Sequence, residues 1–109
     1  MPESEALTAR LREYARLFYA LKDPLRLRIL IALAQTDRMT VTELVRAVRV
    51  SQPLVSWHLA RLRAAGLVRV ERDGRAARYS LLLEEIDRRL GAFRALLREM
   101  AGGREDEDG

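Results

Sequence analysis

A chain of 109 residues, 49% of them hydrophobic, can build one modest core and is read as a single domain over residues 1–101. It has no cysteine for a disulfide, thiolate metal site or thiol switch. Its longest apolar run, residues 29–34, is far short of the ~20 residues that span a bilayer, so a soluble, cytoplasmic chain with no membrane partner is expected. The net charge is +4, and nineteen of the twenty basic residues are arginine; residues 49–80 hold seven arginines against Glu71 and Asp73, a surplus of five that favours a polyanionic partner.

Ser4 is placed to cap a first helix in which Leu7, Leu11, Tyr14 and Phe18, spaced four, three and four, share one face. Pro24 drives Asp23 out of helical geometry, so this helix stops by Lys22 and Asp23 caps a second one with proline in its first turn. That second helix, running to about Gln35, is apolar almost all round, the pattern of a central core helix; only Arg26, Arg28 and the glutamine require solvent or partners. After a polar loop at Thr36, Asp37 and Arg38, residues 39–41 are expected as a short strand and Thr42 as the cap of a third helix over 43–48. A fourth helix follows at once. Ser51 caps it, Pro53 lies in its first turn, Val55, Leu59 and Leu62 form its buried stripe, and Gly66 ends it.

Two short helices joined by so tight a turn make a helix-turn-helix. Residues 67–71 and 78–82 then alternate apolar and polar side chains on either side of Asp73-Gly74, a hairpin whose connecting segment carries Arg72, Arg75 and Arg78 as a basic wing. A last helix over 84–100 has Leu83, Ile86, Leu90, Phe93, Leu97 and Met100 in a heptad seam, and residues 102–109 form an acidic tail expected to be unordered. The fold class is therefore mainly α with a small β-hairpin, a winged helix-turn-helix.

The outward residues near the start of the fourth helix, Gln52, Pro53, Ser56, Trp57 and Arg61, mix donors, acceptors and apolar contacts, as a helix lying in a major groove requires. Ser51 and His58 belong to the same segment, and Arg75 and Arg78 are expected to meet phosphates or a minor groove. Trp57 is out of register with the buried stripe, which favours exposure; packing against a neighbouring helix is the alternative. His58 is the only histidine, with no carboxylate cluster near it in sequence, so it is read as structural or DNA-contacting and no metal or cofactor is expected. No phosphate-binding glycine loop and no nucleophile with an evident partner is present, so no catalytic residue is assigned. The three inner helices suffice for a small core. The stripes of the first helix (Leu7, Leu11, Tyr14, Phe18) and the last (Leu83, Ile86, Leu90, Phe93, Leu97) then need another surface, which a second copy supplies as a homodimer.

From Leu21 to Leu81 the sequence resembles the arsenical-resistance-repressor family of winged helix-turn-helix regulators. The matching stretches are Leu21-Lys-Asp-Pro-Leu-Arg-Leu-Arg-Ile-Leu30, Val41-Thr-Glu-Leu44, Ser51-Gln-Pro-Leu-Val-Ser-Trp-His-Leu59, Leu62-Arg-Ala-Ala-Gly-Leu-Val68, Arg72-Asp-Gly-Arg75 and Arg78-Tyr-Ser-Leu81. The resemblance implies a dimer through the first and last helices, major-groove reading by residues 52–61, and a transcription regulator, expected to be a repressor acting on double-stranded DNA. It departs from the family in three places: the third helix lacks the cysteine pair, the last helix lacks histidines, and Arg49 stands where a glycine is usual in the turn. A left-handed backbone at Arg49 would cost about 1 kcal/mol. Two other readings are kept: a metal-responsive regulator that uses His58 and carboxylates, and a winged helix that docks proteins.

Overall fold

The computed structural model describes residues 4–108, with side chains to residue 103. The elements are α1 (Glu5–Leu21), α2 (Pro24–Ala34), β1 (Met39–Thr40), α3 (Val41–Val48), α4 (Gln52–Ala64), β2 (Val68–Asp73), β3 (Ala76–Leu81) and α5 (Leu83–Asp108). The caps read from the sequence close α1, α2 and α4. Ser4 accepts from the Leu7 amide, Asp23 from those of Leu25 and Arg26, and Ser51 from that of Leu54.

The cap of α3 is Thr40, not Thr42, and the strand before it is correspondingly shorter. The segment Thr40-Val-Thr-Glu43 is a capping box: Thr40 Oγ1 accepts from the Glu43 amide at 3.2 Å while Glu43 Oε1 accepts from the Thr40 amide at 3.1 Å. Two otherwise unpaired donors are satisfied reciprocally, which a cap at Thr42 would not achieve. The Thr40 bonds also hold the Glu43 carboxyl below its ordinary range.

The three strands form an antiparallel sheet in the order β1-β3-β2, with Met39 and Val70 both opposite Tyr79 on the central strand. Asp73 pairs with Ala76, so the hairpin turn is Gly74-Arg75, one residue later than the Asp73-Gly74 expected. Gly74 takes φ 64°, the left-handed conformation such a two-residue turn demands. One core holds the domain together. Leu17 and Ala20 of α1, Ile29, Leu30 and Leu33 of α2, Leu44 and Val48 of α3, and Val55, Leu59 and Leu62 of α4 bury against Leu67 and Val68 at the root of the hairpin.

Three features depart from the sequence reading. α2 is not covered all round: Leu27 and Ile31, one turn apart, face solvent. α5 does not stop at Met100 but runs to Asp108 through the segment expected as an unordered tail. Its packed turns have already met the cost of nucleation, and each further residue adds one hydrogen bond. Finally, the α1 and α5 stripes are partly used within one chain. Phe93 packs against Tyr14 at 5.2 Å and Phe18 at 5.1 Å between ring centroids, Tyr14 is buried, and Ile86 packs on the core. The residue of α5 that buries most fully is Leu96, outside the heptad seam.

Candidate nucleic-acid interface

α4 owes its position to its inner face. Val55, Leu59 and Leu62 are buried in the core as their spacing requires, and His58 is buried beside them. That leaves Ser51, Gln52, Pro53, Ser56, Trp57 and Arg61 on the solvent side, from the N-cap to the third turn of the helix. His58, grouped with these residues from the sequence, faces the other way and is corrected to a structural role.

Its partner is Arg26, which the sequence marked as a cation needing company on an apolar helix. Arg26 Nε donates to His58 Nδ1 at 3.1 Å, and both side chains are only 5% exposed. A guanidinium can only donate, so His58 must be neutral, with its proton on Nε2. Burial pushes the His58 pKa down from its ordinary value, Asp23 opposes the shift, and Arg26 adds to it.

Trp57 is half exposed and also packs against its neighbours. Its ring meets His58 edge-on, with the Arg61 guanidinium 4.9 Å and that of Arg26 5.5 Å from its centroid. The two cations favour the ring face and fix its plane. A helix-to-helix chain thus runs from Arg26 on α2 through Trp57 to Arg61 on the outer side of α4.

The turn between α3 and α4 is held in a similar way. Arg49 caps α3 at φ 59°, ψ 47°, the left-handed conformation expected of a glycine, and its amide donates to Val45 O at 2.8 Å. Arg28 of α2 donates to Val48 O at 3.0 Å, so the strained turn is braced from outside. Both α2 arginines therefore fix the helix-turn-helix, a role the sequence signalled only by placing cations in an apolar helix.

The wing sorts its arginines by partner. Arg69 pairs with Glu71 at 2.8 Å, Arg38 reaches Glu71 at 3.8 Å, and Arg78 lies 4.0 Å from Asp73. Arg78 sits on the central strand opposite Thr40 and Glu71, two pairs in from the turn, so it does not project from the tip as expected. Its Nε is buried without a hydrogen-bond partner. Among the described residues, Arg72 and Arg75 are the wing arginines with no carboxylate in ion-pair range. Arg72 and Arg75 were both expected in the basic wing, and the register sets Arg72 next to the turn.

Also among the described residues, no three His, Cys, Asp or Glu side chains come together to hold a metal ion, and no helix is long and apolar enough to cross a membrane.

The profile of the bacterial regulatory proteins of the arsR family matches residues 23–70, from the cap of α2 into β2. The Escherichia coli HTH-type transcriptional regulator YgaV is 34% identical over 87 residues, covering 80% of this chain and 88% of that protein. The chain belongs to the arsR family. The HTH-type transcriptional repressor SmtB of Mycobacterium tuberculosis is 49% identical over 65 residues, 60% of this chain and 47% of SmtB. This arsR-family chain thus spans about half the length of that repressor and of several other curated relatives it matches. Among solved structures, the homodimeric winged helix-turn-helix DNA-binding domain of Mb0332 from Mycobacterium bovis superposes with a TM-score of 0.72 at 28% identity, over 91% of each chain. The winged helix-turn-helix is therefore the fold of this arsR-family chain.

Proposed function

We propose that this protein binds double-stranded DNA as a homodimer and represses transcription in the cytoplasm without a metal cofactor. The observation that carries the proposal is the division of α4. Its inner face is locked by the core and by Arg26, while Gln52, Ser56, Trp57 and Arg61 are exposed on the outer face, with a wing whose tip bears the unpaired Arg72 and Arg75. Side chains early in such a helix reach base edges, and arginines on a hairpin reach phosphates or a minor groove. The named repressor and DNA-binding domain among the similar proteins support the same reading.

The dimer is read from the α1–α5 side. Leu11, Phe18, Leu83, Leu90, Leu97 and Met100 remain exposed after α1 and α5 have packed on each other, the kind of apolar side chains that an interface covers. A second copy would cover it, with Leu7 at its margin. Tyr14, Ile86 and Phe93 support that surface from behind.

The test is a titration of a duplex from the protein's own promoter region at several salt concentrations. Affinity should fall linearly with salt on logarithmic axes, because phosphate contacts release counterions, and sedimentation should give twice the chain mass. A monomer, or an affinity indifferent to salt, would refute the proposal.

A further inference from the structure

We infer that the cleft between α1, the end of α4 and α5 binds a small, multiply charged anion, and that its occupancy weakens DNA binding. The second clause rests on the proposed role of α4. The cleft measures about 520 Å³, within the size range of sites for small molecules. Tyr14 lines it, and alanines at the end of α4 leave it room. Around it stand four arginines, Arg10 and Arg16 from α1 and Arg88 and Arg89 from α5, against one lining carboxylate, Glu13.

Two of the arginines are held in place without a ligand. Glu85 accepts from Arg88 Nε at 3.2 Å and from Arg89 Nε at 2.9 Å, and these bonds pull its carboxyl down to about 2. The Arg88 guanidinium plane is therefore set in advance, and Arg88 keeps three of its five N–H donors unspent by Glu85. Four guanidinium charges against Glu13 and Glu85 leave a surplus of two, so a dianion neutralises the cleft. Phosphate and carboxylate groups both match the planar guanidinium fork.

The link to DNA runs through Arg89. Its Nη1 donates to the carbonyl of Ala65, the C-cap of α4. It lies so close to the following turn that a Cβ on Gly66 would meet Arg89 Nη2 at 2.6 Å. The cation thus neutralises the negative end of α4 and closes its last turn. An anion that draws Arg89 into the cleft removes that cap and loosens the helix whose other end faces DNA. By reciprocity, bound DNA weakens the anion to the same degree. Glu13 and Arg16 lie on the side of α1 away from Leu7, Leu11 and Phe18, with Arg10 at the margin of that face, so a second copy seated on the face leaves the Glu13–Arg16 side of the cleft open.

The experiment is calorimetry of the full chain with pyrophosphate and, separately, citrate at constant ionic strength, together with duplex binding in the presence of each. We expect saturable binding of at least one of them at one site per chain. The Arg10→Gln/Arg16→Gln double variant, altered only at exposed positions, should bind it at least about tenfold more weakly, a loss of ~1.4 kcal/mol. At saturation the anion should lower duplex affinity of the natural chain several-fold and leave that of the variant unchanged. No saturable binding below ~10 mM, or equal binding by the variant, would overturn the inference. So would a variant that loses duplex affinity and salt slope with no anion present, since the arginines would then be phosphate contacts to DNA. Calorimetry needs no duplex, so the cleft is tested even if the proposed DNA binding fails.

Discussion

In the helix-turn-helix two polar contacts that set geometry are buried or partly buried: Arg26 on His58 inside the domain and Arg28 on the carbonyl that ends α3. At the wing the contacts are ion pairs of Glu71 with Arg69 and Arg38 and of Asp73 with Arg78, mostly at exposed side chains, on strands with no core beneath their tips. A buried polar group that loses its partner costs its full desolvation, whereas an exposed ion pair is worth ~0–1 kcal/mol. Under the proposed function the first region is therefore a rigid reader and the second an adjustable arm. The same kind of residue, arginine, does opposite work in each.

Four substitutions sharpen that contrast. The largest effect is expected at the floor of the reader. Leu59→Ala, at a side chain with no exposure, should cost about 2–5 kcal/mol in chemical denaturation. Next comes Arg26→Met, which keeps most of the bulk but leaves His58 Nδ1 without its donor. A loss of about 1–3 kcal/mol is expected, with Trp57 fluorescence altered because one of its two cations is gone. If Arg26→Met is neutral, the reader is not held by that bond.

The same contact sets a pH dependence. The His58 pKa is lowered in the fold, so the unfolded chain takes up a proton first as the solution is acidified. The contribution is fully present above about pH 6.5 and is lost as pH falls below that value towards the folded pKa. A His58→Gln variant should show a flatter stability profile between pH 7 and 5 than the natural chain. The smallest effect belongs to the wing: Glu71→Ala should change stability by less than ~1 kcal/mol, despite removing the partner of both Arg69 and Arg38. A larger loss would mean that the wing is as rigid as the reader.

The two regions also differed in how far the sequence disclosed them. Apolar spacing and caps on α1, α2 and α4 were legible because each rests on neighbours three or four residues away, and the stripe Val55, Leu59, Leu62 buries as its period demands. What could not be read depends on partners distant in the chain. His58 and Arg26 are 32 residues apart, and no local pattern says that one accepts from the other. Thr40 was the exception. Its capping box lies within four consecutive residues, so it is legible without any distant partner. The wing was located correctly, yet which of its arginines are unpaired depends on the strand register, which sets Arg78 in the central strand instead of at the tip. The α1 and α5 stripes were legible as apolar, but not their partial use of each other through Phe93.

The central claim is that α4 reads sequence while the wing tip supplies charge, and it is tested most directly by one pair of variants measured on two duplexes across a salt series. On the specific site, Gln52→Ala should lose about 1–3 kcal/mol and on a random duplex almost nothing, with its salt slope unchanged. Arg75→Ala should weaken both duplexes alike and lower the slope by about one unit. If both variants lose specific and random binding in the same proportion, with the same change of slope, then reader and arm are not distinct and the account is contradicted.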